Sequence, residues 1–198
     1  MQFAIIGDIH SSIEDLQRVL SHIQKTAPQA TIIGTGDLFE CTISKRFIND
    51  RTYSQLSEVM ILPEGFEELL TFPSVIGNQE ERILYITDSD EELRSFLQAL
   101  PERLNAGRAE VVHGHQWNWG GEPWSLLEAE PSKSLTFYGH SHQSGLMRDG
   151  QTEAKIEFGK PYLIDSRTTL VNVGAVVDDQ EWVLFDDDVA TVTFMKAN

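Results

Sequence analysis

Seven side chains that commonly bind metal ions follow short apolar runs of the chain. Asp8 comes after the run 3–6, Asp37 after the run 30–33 and Asn78 after the run 74–76. The other four are imidazoles in short polar motifs, namely His10, His113, His140 and His142. Carboxylate, amide and imidazole donors without thiolate suit Mn, Fe, Zn, Co or Ni better than Mg or Ca. These residue types predict a transition-metal site that could catalyse hydrolysis.

The spacing of these residues supports a centre with two metal ions. Residues two apart on an extended segment point the same way, so Asp8 with His10, and His140 with His142, each present two donors to one space. Two cations ~3.5–4 Å apart need a bridging ligand, and a carboxylate with two oxygens is the natural choice. We expect Asp37 to be that bridge.

The elements that must position these residues alternate between strands and helices. Residues 3–6, 30–33 and 74–76 read as strands that deliver polar residues to their carboxyl ends, the edge where ligands bind in open α/β sheets. Residues 11–24 show helical spacing, and Ser11 with Glu14 has the form of a capping box. The helix is therefore expected to begin directly after His10.

The rest of the chain predicts more helix first and more strand later. Residues 37–73 read as mostly helical, interrupted by Pro63 and Gly65, and residues 91–100 as a further helix. Strands are expected at 110–112, 135–138, 154–158, 169–173, 181–185 and 189–195. With 198 residues, the chain is expected to form a single α/β domain over 1–198.

Composition limits the classes of substrate and the cellular setting. The net charge of −16 would repel a polyanion, so long nucleic acid is not an expected substrate. The single Cys41 cannot form an internal disulfide and reads as a packing residue, and no secretory leader is evident, so we expect a cytoplasmic protein. No apolar run approaches the ~20 residues of a spanning helix, so membrane integration is not expected. The oligomeric state is left open.

Five ordered motifs resemble those of the calcineurin-like metallophosphoesterases. They are Gly7-Asp8-Ile9-His10, Gly36-Asp37-Leu38-Phe39-Glu40, Gly77-Asn78-Gln79-Glu80, His113-Gly114-His115 and Gly139-His140-Ser141-His142. The sequence is most similar to the small single-domain bacterial phosphodiesterase group. This resemblance implies a four-layer α/β/β/α sandwich of the metallo-dependent phosphatase type.

The resemblance also implies how the ligands are shared between two divalent transition metal ions, with manganese favoured. One ion would take Asp8, His10, Asp37 and His142, and the other Asp37, Asn78, His113 and His140. A metal-bridging hydroxide would attack phosphorus in line. Asn78 would also contact the substrate.

One position departs from the phosphatase pattern. Phosphatase-like members of the family carry a His after the motif Asn, held by a carboxylate three residues after the bridging Asp. Here these positions are Gln79 and Glu40. The Gln79 amide can donate a hydrogen bond to a phosphoryl oxygen but cannot protonate a leaving alkoxide, which favours diesters or good leaving groups. His115 is a candidate replacement acid, and the alternative is a histidine that only supports its loop.

Two further groups of residues have a functional and a structural interpretation. Trp117, Trp119 and Trp124 could stack a nucleobase beside the metals, or could anchor a long loop. Lys45, Arg46 and Arg51 could orient a distal phosphate, although a solvated surface explains such a charge cluster more simply.

These observations predict a dinuclear metal-dependent phosphoesterase that acts on phosphodiesters or small nucleotide phosphoesters. A phosphomonoesterase or a dinucleoside polyphosphate hydrolase would use the same metals and differ only in the pocket. A non-catalytic binding scaffold of the same fold is the alternative from another class.

Overall fold

The structure is a computed structural model that describes residues 1–121, 125–153 and 155–197. Its strands, in chain order, are β1 (Gln2–Ile6), β2 (Thr31–Gly34), β3 (Glu40–Cys41), β4 (Met60–Ile61), β5 (Arg103–Ala106), β6 (Ala109–Val112), β7 (Asn118–Trp119), β8 (Leu126–Glu128), β9 (Leu135–Tyr138), β10 (Gly145–Arg148), β11 (Gln151–Thr152), β12 (Pro161–Leu163), β13 (Thr169–Asn172), β14 (Glu181–Asp186) and β15 (Thr191–Lys196). The helices are α1 (Ile13–Thr26), α2 (Asn78–Ile86) and α3 (Glu92–Ala99), and short 3-10 helices span Lys45–Phe47, Leu56–Glu58 and Glu67–Leu69.

Two mixed sheets form the centre of the fold. The first has the strand order β12-β15-β14-β1-β2 and the second the order β11-β10-β13-β9-β6-β5. β1 and β2 are parallel neighbours in the first sheet, and β6, β9 and β13 are parallel neighbours in the second. The carboxyl ends of these five strands lie at the edge of the sheets that carries the polar motifs.

Alternation along each strand assigns side chains to the two faces of its sheet. Phe3 and Ile5 of β1 belong to the buried cluster between the sheets, together with Val111 and Phe137 of the second sheet. Ala4 and Ile6 face the other way, into the cluster that α1, α2 and α3 complete. The helices therefore cover the outer face of the first sheet.

The outer face of the second sheet is covered differently. Val112, Tyr138 and Leu170 form a small buried cluster with Trp117, and Trp119 of the β7–β8 hairpin packs against it. The predicted fold of the metallo-dependent phosphatase type is confirmed. Within the described residues, however, the layer on the outer face of the second sheet is this β-hairpin and not the helical layer of the predicted α/β/β/α order.

Several predicted strands and one predicted helix are confirmed. β6, β9, β13, β14 and β15 lie where strands were predicted, and α3 lies within the predicted helix 91–100. The predicted strand 74–76 is reduced to one parallel bridge between Gly34 and Ser74. Each helix of the described residues is too short or too polar to cross a lipid bilayer.

The prediction of a mostly helical segment over 37–73 is wrong. The segment contains the β3–β4 pair and the three 3-10 helices. Leu56, Val59, Met60 and Phe66 are buried as expected, but each run between the breaking residues is short, and burial of a short apolar run does not distinguish helix from other structure.

The start of the first helix also differs from the prediction. α1 begins two residues after Ser11, with Ser12 as its N-cap. The Ser11 hydroxyl instead donates to the carbonyl of Ile61 at 2.6 Å and accepts from the N–H of Glu40 at 3.0 Å. Ser11 therefore cannot form the predicted capping box, because its side chain joins the loop after β1 to the β3–β4 pair.

The prediction of a strand at 154–158 is wrong for residues 155–158, which the structure describes. Ala154 lies outside the described residues, and residues 155–158 form no strand. This segment connects β11, at the edge of the second sheet, to β12, at the edge of the first sheet. A chain that crosses between two sheets has no neighbouring strand for backbone pairing.

Candidate metal centre

The predicted metal ligands converge at one edge of the two sheets. Asp8 follows β1, Asp37 follows β2, His113 follows β6 and His140 follows β9. Asn78 is the first residue of α2, a helix that the sequence patterns did not predict. Strand ends and a helix start therefore position the ligands, as expected for a site built on rigid elements.

Side-chain atoms approach each other closely around Asp37. Its Oδ2 lies 3.7 Å from His10 Nε2 and 3.4 Å from His113 Nε2. His10 Nε2 and His142 Nε2 are 3.1 Å apart, as are His113 Nε2 and Asn78 Oδ1. Two donors bound at ~2.1 Å to one tetrahedral cation lie ~3.4 Å apart, so these spacings suit shared metal ions.

Potential metal-binding atoms form two groups that share Asp8. Within the described residues, the ligand atoms of each group lie within 4.8 Å of one another, the groups being Asp8, His10 and His142, and Asp8, Asp37 and His113. His140 lies beside the second group, with its ring centroid 5.2 Å from that of His113. Its backbone N–H donates to the Asp8 carboxylate, so all seven predicted ligands are together.

Five of the ligands adopt left-handed backbone conformations, with φ of +50° for Asp8, +48° for His10, +50° for Asp37, +72° for His140 and +60° for His142. Such conformations cost ~1–3 kcal/mol each at non-glycine residues and persist only where surrounding contacts enforce them. For Asp8, His10 and Asp37 those contacts come from the paired loops after β1 and β2, because the N–H groups of Asp8 and His10 donate to the carbonyls of Gly36 and Asp37. The N–H of His140 donates to the Asp8 carboxylate.

Glu80 holds the Asp37 loop from behind. Its buried carboxylate accepts hydrogen bonds from the N–H groups of Asp37 at 2.9 Å, Gly77 at 2.9 Å and Phe39 at 3.0 Å. Burial and the nearby Asp37 carboxylate raise the pKa of Glu80 to about 7. A Cβ at Gly77 would overlap Asp37, so glycine is required for this close approach.

Two histidine rings are oriented by acceptors on the side away from the site. His113 Nδ1 lies 2.8 Å from the carbonyl oxygen of Thr35, and His10 Nδ1 lies 2.5 Å from Glu40 Oε2. Because an Nδ1–H donates to each acceptor, Nε2 is left to bind a metal.

The pKa values of the site residues reflect buried carboxylates that lie close to histidines. Burial raises the pKa of Asp8. Burial also opposes the charge of His113, but the Asp37 carboxylate outweighs it and raises the pKa of His113 to about 9. Burial, together with the charge of His113, lowers the pKa of His140 to about 3. Within the described residues the Asp8 and Asp37 carboxylates form ion pairs only with histidines, so the donor set fits added cations.

Gln79 lies at the sequence position where phosphatase-like members of the resembled family carry a His, and it contacts Asp37. Its backbone N–H donates to Asp37 Oδ1 at 2.9 Å. Its side-chain oxygen accepts from the N–H of Cys41 at 3.2 Å and from the guanidinium of Arg82. The amide oxygen is therefore held, and the amide NH₂ is the part of Gln79 that remains for a substrate oxygen.

His115 lies near the ligand histidines and has a carboxylate partner. Its Nε2 is 2.9 Å from Glu81 Oε2, and its ring centroid is 5.1 Å from that of His113 and 6.3 Å from that of His140. Burial and the charge of His113 lower its pKa. The geometry is compatible with both interpretations of His115.

The tryptophans differ in their surroundings. Trp117 is buried and contacts Tyr138, with ring centroids 5.0 Å apart, as expected of a loop anchor. Trp119 is half-buried, donates its indole N–H to Gly114 and lies 5.2 Å from the His140 ring between centroids. Trp119 is thus the tryptophan beside the candidate metal ligands, and Trp124 lies outside the described residues.

A cavity of about 570 Å³ opens over the ligands, lined by His10, Asp37, Glu40, Lys45, Asn78, Gln79, His140, Ser141, His142 and Val177. The three residues of the predicted basic cluster, Lys45, Arg46 and Arg51, differ in their position relative to this cavity. Lys45 lines it and makes no ion pair within the described part of the chain, whereas Arg51 stacks on Tyr53 and pairs with Glu58. Arg46 is exposed.

Sequence reasoning missed the residues that support the ligands. Glu80 was visible only as the last residue of the Asn78 motif. Asn172 donates to the Gly139 carbonyl at 3.2 Å and to the Ser141 hydroxyl at 2.7 Å, and so holds the His140 motif. Its signal in the sequence was an Asn between the apolar residues Val171 and Val173 of a predicted strand.

Comparison with a curated protein gives a short partial match. The chain is 29% identical over 111 residues to "Putative disease resistance protein RGA4" from Solanum bulbocastanum, which is 54% of this chain and 11% of that protein. Because the match spans so small a share of that relative, it carries no argument about function.

Comparisons of structure and of family sequence agree on the fold. The chain is similar to a metallophosphoesterase from Sphaerobacter thermophilus, with a TM-score of 0.69 and 21% identity over 100% of this chain and 88% of that chain. It is also similar to "a putative diadenosine tetraphosphatase", with a TM-score of 0.54 and 14% identity over 100% and 94% of the two chains. At these identities the likeness shows the fold. The sequence profile of the calcineurin-like phosphoesterase superfamily domain matches residues 1–193, and the chain therefore belongs to that superfamily.

Proposed function

We propose that the protein is a phosphoesterase dependent on two divalent transition metal ions, with manganese favoured, that hydrolyses phosphodiesters or small nucleotide phosphoesters. The observation that carries this proposal is the position of Asp37 Oδ2, 3.7 Å from His10 Nε2 and 3.4 Å from His113 Nε2. Asp37 Oδ2 is near an imidazole of each ligand group, which supports Asp37, rather than the shared Asp8, as the bridge between two cations.

The donor set would divide between the two ions. Asp8, His10, Asp37 and His142 would hold one, and Asp37, Asn78, His113 and His140 the other. When bound, the ions would supply a hydroxide nucleophile near neutral pH and neutralise the charge that develops on the phosphoryl oxygens. The net charge of −16 favours a small phosphoester over long nucleic acid.

Gln79 supports a preference for diesters or for good leaving groups. The amide NH₂ of Gln79 can hydrogen bond to a phosphoryl oxygen but has no proton to transfer to an alkoxide. General-acid catalysis, which contributes ~10²–10⁴-fold, would then have to come from another residue. His115 is our candidate for that role, because its ring centroid lies 5.1 Å from that of His113 and 6.3 Å from that of His140.

The proposal is tested by metal analysis of the purified protein together with rates on bis-p-nitrophenyl phosphate and p-nitrophenyl phosphate. We expect bound transition metal and turnover that rises with added Mn²⁺. Asp37→Ala should abolish turnover, whereas Asp165→Ala, which removes an exposed carboxylate paired with Arg167, should not. Wild-type protein without bound metal and without metal-stimulated turnover would favour a binding scaffold instead.

Lys45 favours one more specific candidate, a dinucleoside polyphosphate hydrolase. Lys45 lines the cavity and makes no ion pair within the described residues, so in a chain this acidic it would attract a second phosphate of the substrate. Lys45→Gln should then raise KM several-fold for diadenosine tetraphosphate but not for bis-p-nitrophenyl phosphate, and Arg46→Gln should do neither. Equal KM changes on both substrates would remove this candidate.

A further inference from the structure

Glu40 contacts His10, one of the candidate metal ligands. Glu40 Oε2 is 2.5 Å from His10 Nδ1, on the side of the ring opposite to the atom that faces Asp37 and His142. We propose that Glu40 is a positioning residue, which accepts a hydrogen bond from His10 Nδ1–H and so fixes the tautomer and ring orientation that present Nε2 to one metal. This inference rests on the proposed two-metal centre.

The backbone of Glu40 is tied to the loop that carries His10. The N–H of Glu40 donates to the Ser11 hydroxyl at 3.0 Å, and that hydroxyl donates to the Ile61 carbonyl at 2.6 Å. Glu40 and Ile61 are paired across β3 and β4. The carboxylate therefore approaches His10 from a short strand held to the same loop, which limits the freedom of both partners.

The carboxylate is available to His10 because Gln79 does not use it. The side-chain oxygen of Gln79 accepts hydrogen bonds from Cys41 and Arg82, and within the described residues Gln79 makes no hydrogen bond to Glu40. The carboxylate three residues after the bridging Asp37 thus contacts a metal ligand in this chain.

The two halves of the centre are supported differently. His113 is oriented by the backbone carbonyl of Thr35 at 2.8 Å, which no side-chain substitution removes. His10 is oriented by the carboxylate of Glu40, a partly exposed side chain. Substitution of Glu40 should therefore weaken the ion held by His10 and leave the ion held by His113 in place.

Three substitutions separate the hydrogen bond from the charge. Glu40→Gln keeps an acceptor oxygen but loses the charge, Glu40→Asp keeps the charge but is one methylene too short, and Glu40→Ala loses both. Loss of such a supporting partner typically costs 10–100-fold in metal affinity. We expect a loss of ~10–100-fold for Asp and Ala, and less than about 10-fold for Gln.

Affinity is measured without substrate, by titrating the metal-free protein with Mn²⁺ or Zn²⁺ against a chelating indicator. The higher-affinity and lower-affinity steps of the titration report the two ions separately, and circular dichroism checks folding. Glu58→Ala, which removes a surface carboxylate paired with Arg51, is the matched control and should change neither step.

The outcomes are distinct. Wild-type affinity in Glu40→Asp with a weakened Glu40→Ala would mean that only the charge matters and would overturn the positioning role. Equal weakening of both steps in a folded variant would also overturn it. Absence of metal binding by the wild-type protein would instead be a failure of the proposed function.

Discussion

Replacing Glu110 by Gln should destabilise the strands that position His113 and His140. Glu110 lies on β6, three residues before His113, and its carboxylate is buried. β6 pairs in parallel with β9, which ends two residues before His140. The carboxylate thus fastens the segment before β9 to β6, at the opposite end of the strands from the metal site.

The magnitude follows from five hydrogen bonds. Glu110 Oε1 accepts from the N–H of Ser132, the N–H of Lys133 and the Thr136 hydroxyl, and Oε2 accepts from Arg103 Nη1 and the Ser132 hydroxyl, at distances of 2.5–3.0 Å. A Gln that keeps its oxygen at the Oε1 position retains three acceptor contacts but places its NH₂ against the Arg103 guanidinium. Losing a hydrogen bond between charged partners costs ~1.5–3 kcal/mol, and the three retained bonds become weaker because the acceptor is neutral. We expect a total of ~2–4 kcal/mol, out of a typical unfolding free energy of ~5–15 kcal/mol.

Urea denaturation at pH 7 measures this difference, with Glu102→Gln as an exposed control. Burial opposes the hydrogen bonds of Ser132, Lys133, Arg103 and Thr136, but these outweigh it and hold the pKa of Glu110 below its usual range. A carboxyl whose pKa is lower in the folded state stabilises the fold above its unfolded pKa of ~4.3, and this stability is lost as the pH falls through the folded pKa. The difference in unfolding free energy between wild type and Glu110→Gln should therefore have its full value at pH 7 and should become smaller below about pH 4. A difference in unfolding free energy under about 0.5 kcal/mol at pH 7, or one that stays the same at acidic pH, would refute the reasoning.

Three further predictions concern the candidate metal centre and the side chains around it. Gln79→His should raise kcat/KM for an alkyl phosphomonoester by up to ~10²-fold, and by more than for p-nitrophenyl phosphate, because only the alkoxide needs a proton. No gain, or an equal gain in kcat/KM on both esters, would show that leaving-group protonation is not limiting. His115→Ala should lower turnover of diesters with poor leaving groups while both metals are retained, and unchanged turnover would leave His115 with a supporting role. Trp117→Ala should cost ~3–5 kcal/mol of stability because Trp117 is buried, whereas Trp119→Ala should mainly raise KM for a nucleotide substrate. An unchanged KM for the nucleotide substrate in Trp119→Ala would remove base stacking from the proposal.

The sequence by itself determined the identities of the candidate metal ligands. Each ligand lies in a short motif directly after an apolar run, and such motifs depend on local requirements: a strand, a turn and, in the case of Gly77, a residue without Cβ. The spacing of two correctly placed Asp8 and His10 in one ligand group. The extended segments predicted for Asp8 with His10 and for His140 with His142 are wrong, because all four residues adopt left-handed backbone conformations. The strands that carry them could also be predicted, because buried strands leave a local apolar pattern.

Tertiary structure alone decided what supports the ligands. Glu40 could not be paired with His10 from the sequence, because the contact joins residues 30 positions apart and depends on how the loop after β1 meets β3. Trp117 and Trp119 have the same residue type and nearly the same position, yet their burial differs because one side chain points into the small cluster on the second sheet. Lys45 differs from Arg51 for the same reason, since a charge pattern does not specify which side chain faces a cavity. Local patterns specify residue types along the chain, whereas partners and cavities arise from the packing of segments that are distant in sequence.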